Sequence, residues 1–320
     1  LANFLLKKNY EVIGGERYKA NSNNWRLKKL GIEDKIKMIS FELLDENNMF
    51  KKIKDGKYNE IYNLAAQSFV DKSFSSPIYT ADVNALGVTR ILEAIRQFSK
   101  FTKFYQASSS EMYGNVKTKM QDENTNFNPI SPYAISKLHS HWMIKLYRDA
   151  YGLFCCSGIL FNHDSPLRGD EFVTKKIVRE LIRVKLKKIS CLHLGNIYAK
   201  RDWGYSMDYV EAMWKMLQKK KADDYVISSG VNYTVKEFIN RVSKYLGFKI
   251  KWKGKGLNEK AIDILTGRTI IKIKKDLFRP IEIKSTFGNA QKAHKILNWR
   301  PKTDFDKLVT IMCEAELNNY

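Results

Sequence analysis

The chain has 320 residues, of which 44% are hydrophobic and 28% charged, so it can bury a substantial core and is too apolar for a disordered protein. No apolar run approaches the roughly 20 residues that a membrane span needs, and no leader-like segment opens the sequence, so we expect a cytoplasmic protein with no membrane partner. The four cysteines form no CxxC pair and no histidine stands near a cysteine cluster, which predicts no metal site.

The net charge of +22 raises the alternative of a nucleic-acid partner. The lysines are scattered over many predicted elements, however, and the sequence contains no recognisable nucleic-acid-binding module. We therefore expect no nucleic-acid partner. A basic protein also suits a substrate that carries a diphosphate.

The first half of the chain alternates short apolar runs with helical patterns, which is typical of a parallel sheet built from βαβ units. The predicted fold class is α/β, a Rossmann-like doubly wound parallel sheet with a smaller α/β substrate domain. Later patterns are less regular. In chain order, the spacing predicts a helix at 1–8, strands at 10–15 and 36–41, a helix at 46–54, a strand at 60–64, a helix at 82–99, a strand at 104–108, a helix at 132–151, and strands at 154–160, 190–194 and 225–228.

The start of the sequence departs from the pattern of a dinucleotide-binding fold. Such a fold opens with a strand and a Gly-rich turn, because glycines let the backbone approach a pyrophosphate at a helix N-terminus. Here a helical pattern at 1–8 is followed at once by a strand, and Gly14 and Gly15 fall at that strand's end. We therefore expect the first, central strand and its Gly-rich turn to be missing from this sequence.

No linker, repeat or low-complexity tract divides the chain. We place the domain boundary at 161–166, where polar residues and a proline follow the last strong strand. Residues 1–165 are then the cofactor-binding domain and 166–320 the substrate-binding region, with part of 190–228 returning to the first domain.

Tyr133 and Lys137 lie four residues apart on the predicted helix 132–151. Residues at this spacing share one face, so the Lys137 ammonium should lie beside the Tyr133 phenol and lower its pKa. Such a phenol accepts a hydroxyl proton at neutral pH, aided by the positive nicotinamide of a cofactor. Ser131 and Pro132 support the helix start, because serine caps helices and proline suits their first position.

Ser109 and Glu111 follow the predicted strand 104–108. Ligands of open α/β sheets bind outside the carboxyl ends of the strands, so a hydroxyl and a carboxylate here should face the helix that carries Tyr133. The alternative is that the serines only cap the next turn. We predict a catalytic group of Ser109, Glu111, Tyr133 and Lys137 that acts on one sugar.

Cofactor contacts are predicted from position. Leu64, Ala65 and Ala66 end a strand with residues that allow close backbone approach, and Asp45 follows the strand before it and could reach an adenine edge. Arg17 lies just past the strand 10–15, where an arginine accommodates the 2′-phosphate of NADP. NADP is thus favoured over NAD, although the neighbouring acidic Glu16 leaves the NAD alternative open.

Motifs along nearly the whole chain resemble those of the GDP-mannose 4,6-dehydratase family, in the extended short-chain dehydrogenase/reductase class. The motifs after residue 161 are the discriminating ones, since epimerases and other sugar-nucleotide dehydratases share the tyrosine and lysine. The matching segments are 63–68, 79–87, 107–114, 131–137, 161–166, 172–177, 195–197, 200–204, 208–214 and 278–280.

The resemblance implies an NADP-dependent conversion of GDP-D-mannose to GDP-4-keto-6-deoxy-D-mannose, on the path to GDP-fucose. Tyr133 would take the 4-hydroxyl proton, Glu111 would remove the C5 proton, and Ser109, usually threonine in the family, would bind the 4-oxygen. The resemblance also suggests a homodimer or homotetramer with the segment 17–26 near an interface. It implies cofactor contacts at Ser68, Tyr79, Val83, Ser108, His163 and Arg168, and substrate contacts at Asn162, Val173, Lys176, Gly195, Arg201 and Arg279.

Two alternatives remain open at the level of sequence. A dTDP-glucose dehydratase or a 4-epimerase would share Tyr133 and Lys137, but only an elimination needs a base such as Glu111 at C5. A non-catalytic nucleotide-binding relative is the other alternative, and the complete catalytic group argues against it.

Overall fold

The computed structural model describes residues 1–18 and 24–320. Within these ranges no helix is long and apolar enough to cross a membrane. The helices are α1 Ala2–Leu6, α2 Trp25–Lys29, α3 Glu46–Gly56, α4 Val70–Ser75, α5 Pro77–Ala81, α6 Gly87–Phe98, α7 Pro132–Tyr151, α8 Val173–Lys185, α9 Ser206–Leu217, α10 Val235–Tyr245, α11 Gln291–Leu297 and α12 Phe305–Leu317. The strands are β1 Ile13–Glu16, β2 Lys37–Ser40, β3 Glu60–Asn63, β4 Lys103–Ser109, β5 Cys155–Leu160, β6 Asn162–Asp164, β7 Leu192–Leu194, β8 Lys200–Tyr205, β9 Tyr225–Ile227, β10 Asn232–Thr234, β11 Ile250–Lys253, β12 Lys260–Asp263 and β13 Thr269–Ile273.

Parallel strands connected through helices form the first part of the molecule. A four-stranded sheet has the order β3-β4-β5-β9, and all its pairs are parallel. A separate parallel pair joins β1 to β2. Because the strands of the larger sheet run the same way, their carboxyl ends lie at one edge. The predicted α/β class is confirmed.

Two mixed sheets, one of three strands and one of four, come from the second half of the chain. Their orders are β10-β8-β6 and β11-β12-β13-β7. The predicted strand 190–194 forms as β7 and pairs with β13, whereas the predicted strand 225–228 forms as β9 and pairs with β5. A segment beyond residue 166 thus adds to the parallel sheet, while the division into 1–165 and 166–320 stays a prediction.

The predicted helices form with local differences in their bounds. The helix predicted at 132–151 has those bounds, because Ser131 caps it and Pro132 opens it. The helix predicted at 82–99 instead starts with a π-helical turn, Asp82–Leu86, before α6. An apolar pattern of period 3.6 does not distinguish such a turn from regular α-helix.

One face of α6 anchors the helices to the parallel sheet. Ile91 and Leu92 are fully buried against Met49 and Ile53 of α3 and against Phe104 of β4. Burying each of these side chains stabilises the fold by roughly 1.5–3 kcal/mol. This packing fixes β4, whose carboxyl end carries Ser109.

Candidate active site

A capped helix start places the tyrosine and lysine. The Ser131 hydroxyl accepts a hydrogen bond from the backbone N–H of Ala134 at 3.1 Å, and Pro132 occupies the first helical turn. Tyr133 and Lys137 are thereby fixed one turn apart, and both side chains are buried. The Lys137 ammonium lies 5.9 Å from the centroid of the Tyr133 ring. The predicted pairing is therefore present in the fold.

Lys137 connects the helix to the sheet. Its Nζ donates a hydrogen bond to the backbone carbonyl of Ala107, on β4, at 2.9 Å. Burial lowers the pKa of Lys137 to about 8, because desolvation disfavours the ammonium. The group is still mostly protonated at neutral pH, so it places a positive charge beside the Tyr133 ring.

The phenol of Tyr133 responds to three neighbours as well as to burial. Burial raises its pKa to about 12, while a hydrogen bond with Ser109 lowers it. The carboxylate of Glu111 raises it further, and the guanidinium of Arg168 lowers it. The expected lowering by Lys137 is thus wrong for the net shift: desolvation of the phenolate outweighs the nearby positive charge.

The end of β4 supplies the hydroxyl and the carboxylate. The Ser109 Oγ accepts a hydrogen bond from the backbone N–H of Glu111 at 3.2 Å, which starts a short 3-10 turn. Ser109 therefore caps this turn, which was the structural alternative to a catalytic role. It also forms a hydrogen bond with Tyr133. The Glu111 carboxylate is close enough to both Tyr133 and Arg201 to raise the pKa of each side chain. Ser109, Glu111, Tyr133 and Lys137 form one cluster.

His163 and Arg168 lie beside this cluster. The His163 ring stacks on Tyr209 with centroids 4.7 Å apart, and its Nδ1 is 2.8 Å from the carbonyl of Phe161. Burial lowers the pKa of His163 to about 4, so the imidazole is neutral at pH 7. Arg168 forms an ion pair with Asp164 at 3.0 Å and lies 3.5 Å from the centroid of the Phe172 ring. Both side chains are thus held in place, and Arg168 is close enough to Tyr133 to lower the pKa of the phenol.

The other predicted cofactor residues lie around the carboxyl edge of the first strands. Arg17 and Tyr79 meet: the guanidinium donates a hydrogen bond to the Tyr79 hydroxyl at 3.3 Å. Asp45 caps α3 by accepting from the backbone N–H of Asn48 at 2.9 Å, which gives its carboxylate a structural role. Leu64, Ala65 and Ser68 are exposed, Ala66 is half-buried, Val83 is buried in the π-helical turn, and Ser108 is buried with its hydroxyl 3.3 Å from the Met112 sulfur.

Among the predicted substrate residues, Gly195 has a clear steric requirement. A Cβ at this position would lie 2.2 Å from the carbonyl oxygen of Leu277, so only glycine allows the two backbones to approach. Arg279 is in the segment that follows and pairs with Asp71 at 2.8 Å. Close packing at Gly195 therefore sets the position of the segment that carries Arg279.

Arg201 and the start of α8 supply positive charge. The buried Arg201 guanidinium donates to the carbonyl of Ile283 at 2.8 Å and lies 3.3 Å from the Glu282 carboxylate. Val173 is the first residue of α8, and Lys176 follows one turn later with a pKa lowered by partial burial. Asn162 opens β6, half-buried opposite Trp203.

A polar contact that the sequence patterns did not predict fixes the loop after β3. Asn84 accepts from the backbone N–H of Gln67 at 2.8 Å and donates to its carbonyl at 2.9 Å. It also donates to Ser136 of α7 at 3.2 Å. Asn84 belongs to the π-helical turn, and a buried asparagine in an apolar helical pattern was the only sign of it. These contacts of Asn84 hold the loop after β3, where cofactor contacts are predicted, against α7.

Comparison with known proteins gives the family. The family model for GDP-mannose 4,6 dehydratase matches residues 1–312. The chain is 44% identical to a GDP-mannose 4,6 dehydratase of Drosophila melanogaster over 99% of this chain and 82% of that protein, and 42% identical to one of Homo sapiens over 99% and 87%. A solved dTDP-glucose 4,6-dehydratase of Bacillus anthracis, in complex with NAD, has the same fold, with a TM-score of 0.80, 22% identity, and coverage of 99% of this chain and 92% of that one. The chain belongs to the GDP-mannose 4,6-dehydratase family.

Proposed function

We propose that the protein converts GDP-D-mannose to GDP-4-keto-6-deoxy-D-mannose by an internal dehydration. The observation that carries the proposal is the cluster of Ser109, Glu111 and Tyr133 at the carboxyl end of β4, with Lys137 beneath it. Full-length relatives at 40–44% identity support the choice of substrate. The reaction belongs to the lyases, because water is lost with no net redox change.

The residues around the cluster suit a nicotinamide dinucleotide. Leu64 and Ala65 are exposed after β3, where a cofactor backbone contact needs small or open positions, and Arg17 offers a guanidinium at the neighbouring edge. Solved relatives of the same fold were determined with NAD or with NADPH. When bound, a nicotinamide would supply reversible hydride transfer, which moves the hydride of sugar C4 to C6. Tyr133, Lys137, His163 and Arg168 would hold the nicotinamide end.

Tyr133 is the base for the first step. Its phenolate takes the proton of the 4-hydroxyl while Ser109 binds the 4-oxygen. Burial holds the pKa of Tyr133 near 12, so the phenol needs added positive charge to ionise at neutral pH. Lys137 and Arg168 supply positive charge close to the Tyr133 ring.

Glu111 is the base for the elimination. Once C4 is a ketone, the C5 proton is acidic, and the Glu111 carboxylate removes it. The C6 hydroxyl leaves and takes that proton from the carboxyl group, so one water is released. Arg201 lies close enough to the Glu111 carboxylate to stabilise its charge.

We further propose NADP as the natural cofactor. The exposed Arg17, held beside Tyr79, is the side chain that would meet a ribose 2′-phosphate. Arg17→Ala should weaken NADP binding by about tenfold or more and leave NAD binding nearly unchanged, measured by fluorescence titration. An equal loss for the two cofactors would contradict the assignment. The acidic Glu16 beside it is the residue that would favour NAD instead.

The assembly in solution is proposed to be a homodimer or homotetramer. Ile135, Trp142 and Leu146 lie on one side of α7 and are each more than half exposed. An apolar surface of this kind is typical of a subunit interface. Part of the segment 17–26, which the resemblance places near an interface, lies outside the described residues.

The test is an assay of GDP-mannose with NADP. We expect a 4-keto sugar, detected by its alkaline absorbance, and no product from Tyr133→Phe. Turnover of dTDP-glucose in place of GDP-mannose would refute the assignment of GDP-mannose as the substrate, while the dehydratase reaction would stand. An epimerised product without loss of water would refute both.

A further inference from the structure

A row of like charges crosses the four-stranded sheet of the second half of the chain. Lys253 of β11 is paired with Lys260 of β12, and Lys260 is paired with Lys272 of β13. Lys272 is in turn paired with His193 of β7. Residues paired across strands point to the same face, about 4.8 Å apart per strand, so the three lysines span roughly 10 Å and the four positions roughly 14 Å. We refer to Lys253, Lys260 and Lys272 as the lysine row.

The lysine row faces solvent. All three lysines are exposed, while the alternate residues Ala261, Ile271 and Leu192 are buried on the other face of the sheet. Across the parts of the chain that the structure describes, none of the three forms an ion pair with a carboxylate. Directly opposed like charges destabilise a sheet. The row therefore costs stability in return for a concentrated positive potential.

The row ends beside the proposed substrate site. The imidazole of His193 is close enough to Lys272, Lys274 and Lys176 for all three charges to lower its pKa, alongside partial burial. Lys176 is the α8 residue expected to meet the diphosphate. Asp276 is the acidic group that opposes the cations there. The segment that follows β13 continues to Leu277, which touches Gly195. Lys272, Lys274 and Lys176 thus lie near His193, between the exposed face of the sheet and the start of α8.

We propose that the lysine row is an electrostatic guide, which attracts the anionic diphosphate of the nucleotide sugar and delivers it to Lys176. The inference rests on the proposed function, since it requires an anionic substrate. Fields of this kind raise association rates by tenfold or more and act within a Debye length, which is about 8 Å at physiological salt. The guide should therefore matter most at low ionic strength.

Two variants with the same net charge distinguish an effect of the lysine row on association from an effect of the protein's overall charge. One is Lys253→Gln/Lys260→Gln/Lys272→Gln. The control is Lys219→Gln/Lys220→Gln/Lys221→Gln, just after α9. That end of α9 lies at the amino end of β4, where Lys103 donates to the carbonyl of Leu217 at 2.7 Å, opposite the edge that carries Ser109. Each variant removes the same three charges.

The measurement is the association rate constant of GDP-mannose with the cofactor-loaded protein, by stopped-flow at about 20 and about 300 mM NaCl. We expect the row variant to associate about five- to tenfold more slowly at low salt and within about twofold of wild type at high salt. The control should change by less than about twofold at both. The kcat should stay unchanged in both variants, and the row variant should melt no lower than wild type.

Three results would overturn the guide. Equal slowing in both variants would assign the effect to net charge, a slowing that persists at high salt would assign it to direct contact or altered structure, and no slowing would leave the row without this role. In each case normal kcat with GDP-mannose would keep the proposed function. Absence of turnover in wild type and both variants would overturn the proposed function together with the guide.

Discussion

At the scale of single residues, the buried ammonium of Lys137 lowers the free energy of unfolding at neutral pH. Its ammonium donates to the carbonyl of Ala107 and is buried, and this burial lowers its pKa to about 8. The folded protein then binds fewer protons than the unfolded chain between pH 8 and the ordinary lysine value. The free energy of unfolding is therefore lowered by about 3 kcal/mol below pH 8, and this loss disappears as the pH rises to about 10.4.

Lys137→Met should therefore stabilise the protein at pH 7 while it abolishes turnover. Removal of the buried charge gains more than the lost hydrogen bond costs, for a net effect of about 2 kcal/mol. Urea unfolding at pH 7 and at about pH 10.4 measures it, and the gain should vanish at the higher pH. Lys145→Met, on the exposed side of the same helix, is the control. Destabilisation at pH 7 would show that the hydrogen bond to Ala107 dominates.

The role proposed for Glu111, removal of the C5 proton, is the one that separates a dehydratase from an epimerase. In Glu111→Gln, Tyr133 can still support oxidation at C4, but the C5 proton has no base. Turnover should fall by about 10²- to 10⁴-fold, while reduced nicotinamide accumulates as a near-ultraviolet absorbance after GDP-mannose is added. Tyr133→Phe should show neither signal. Glu111→Gln with wild-type turnover would exclude Glu111 as the base.

The grouping of the four predicted catalytic residues could be predicted because each position depends on local structure. The spacing of Tyr133 and Lys137 needs only a helix, and Ser109 and Glu111 need only the end of a strand. The pKa of Tyr133 could not be predicted, since it depends on burial by the rest of the fold. Asp45 shows the same limit, because its contact with Asn48 is a helix cap that its position after a strand did not indicate.

At the scale of elements, a buried ion pair joins the first turn of α8 to the last turn of α12. Lys175 and Glu316 approach to 2.5 Å with side chains 9% and 5% exposed. Lys175 also donates to the carbonyl of Pro166 at 3.3 Å, and Arg26 donates to that of Leu167 at 3.0 Å. These contacts hold the segment that leads to Arg168 and to the start of α8.

Glu316→Gln should destabilise the protein by about 3–5 kcal/mol, because it leaves the Lys175 ammonium buried without its partner. The double variant Lys175→Met/Glu316→Leu should recover most of that loss, since neither charge remains to be desolvated. Thermal unfolding of the two variants and wild type measures both effects. A double variant as unstable as Glu316→Gln would mean that packing at α12, and not the ion pair, determines the stability.

Strands and helices with strong periodicity were predicted at nearly their observed positions, as α7 and β4 show. The sequence did not predict which strands pair with each other in the sheets of the second half. The strand at 190–194 lies in a mixed sheet with β13, and nothing in its short apolar run indicated that partner. The π-helical turn before α6 was also missed, although it places Asn84 against Gln67. Such features depend on tertiary contacts between distant segments.

At the scale of the whole molecule, the exposed apolar side of α7 predicts self-association. Trp142→Asp places a charge in the proposed interface and should convert the oligomer to a monomer, measured by light scattering after size exclusion. Ile264→Asp, at a position that is 60% exposed far from α7, is the control and should keep the oligomer. Loss of the oligomer in both variants, or in neither, would place the interface elsewhere.

The central claim is that hydride moves within one sugar, from C4 to C6, with no net change in the cofactor. GDP-mannose that carries deuterium at C4 tests it most directly, with the product analysed by nuclear magnetic resonance. We predict that the deuterium appears at C6 of the 4-keto-6-deoxy product and that C5 takes a proton from solvent. Deuterium that stays at C4, or that is recovered in the cofactor, would contradict the account.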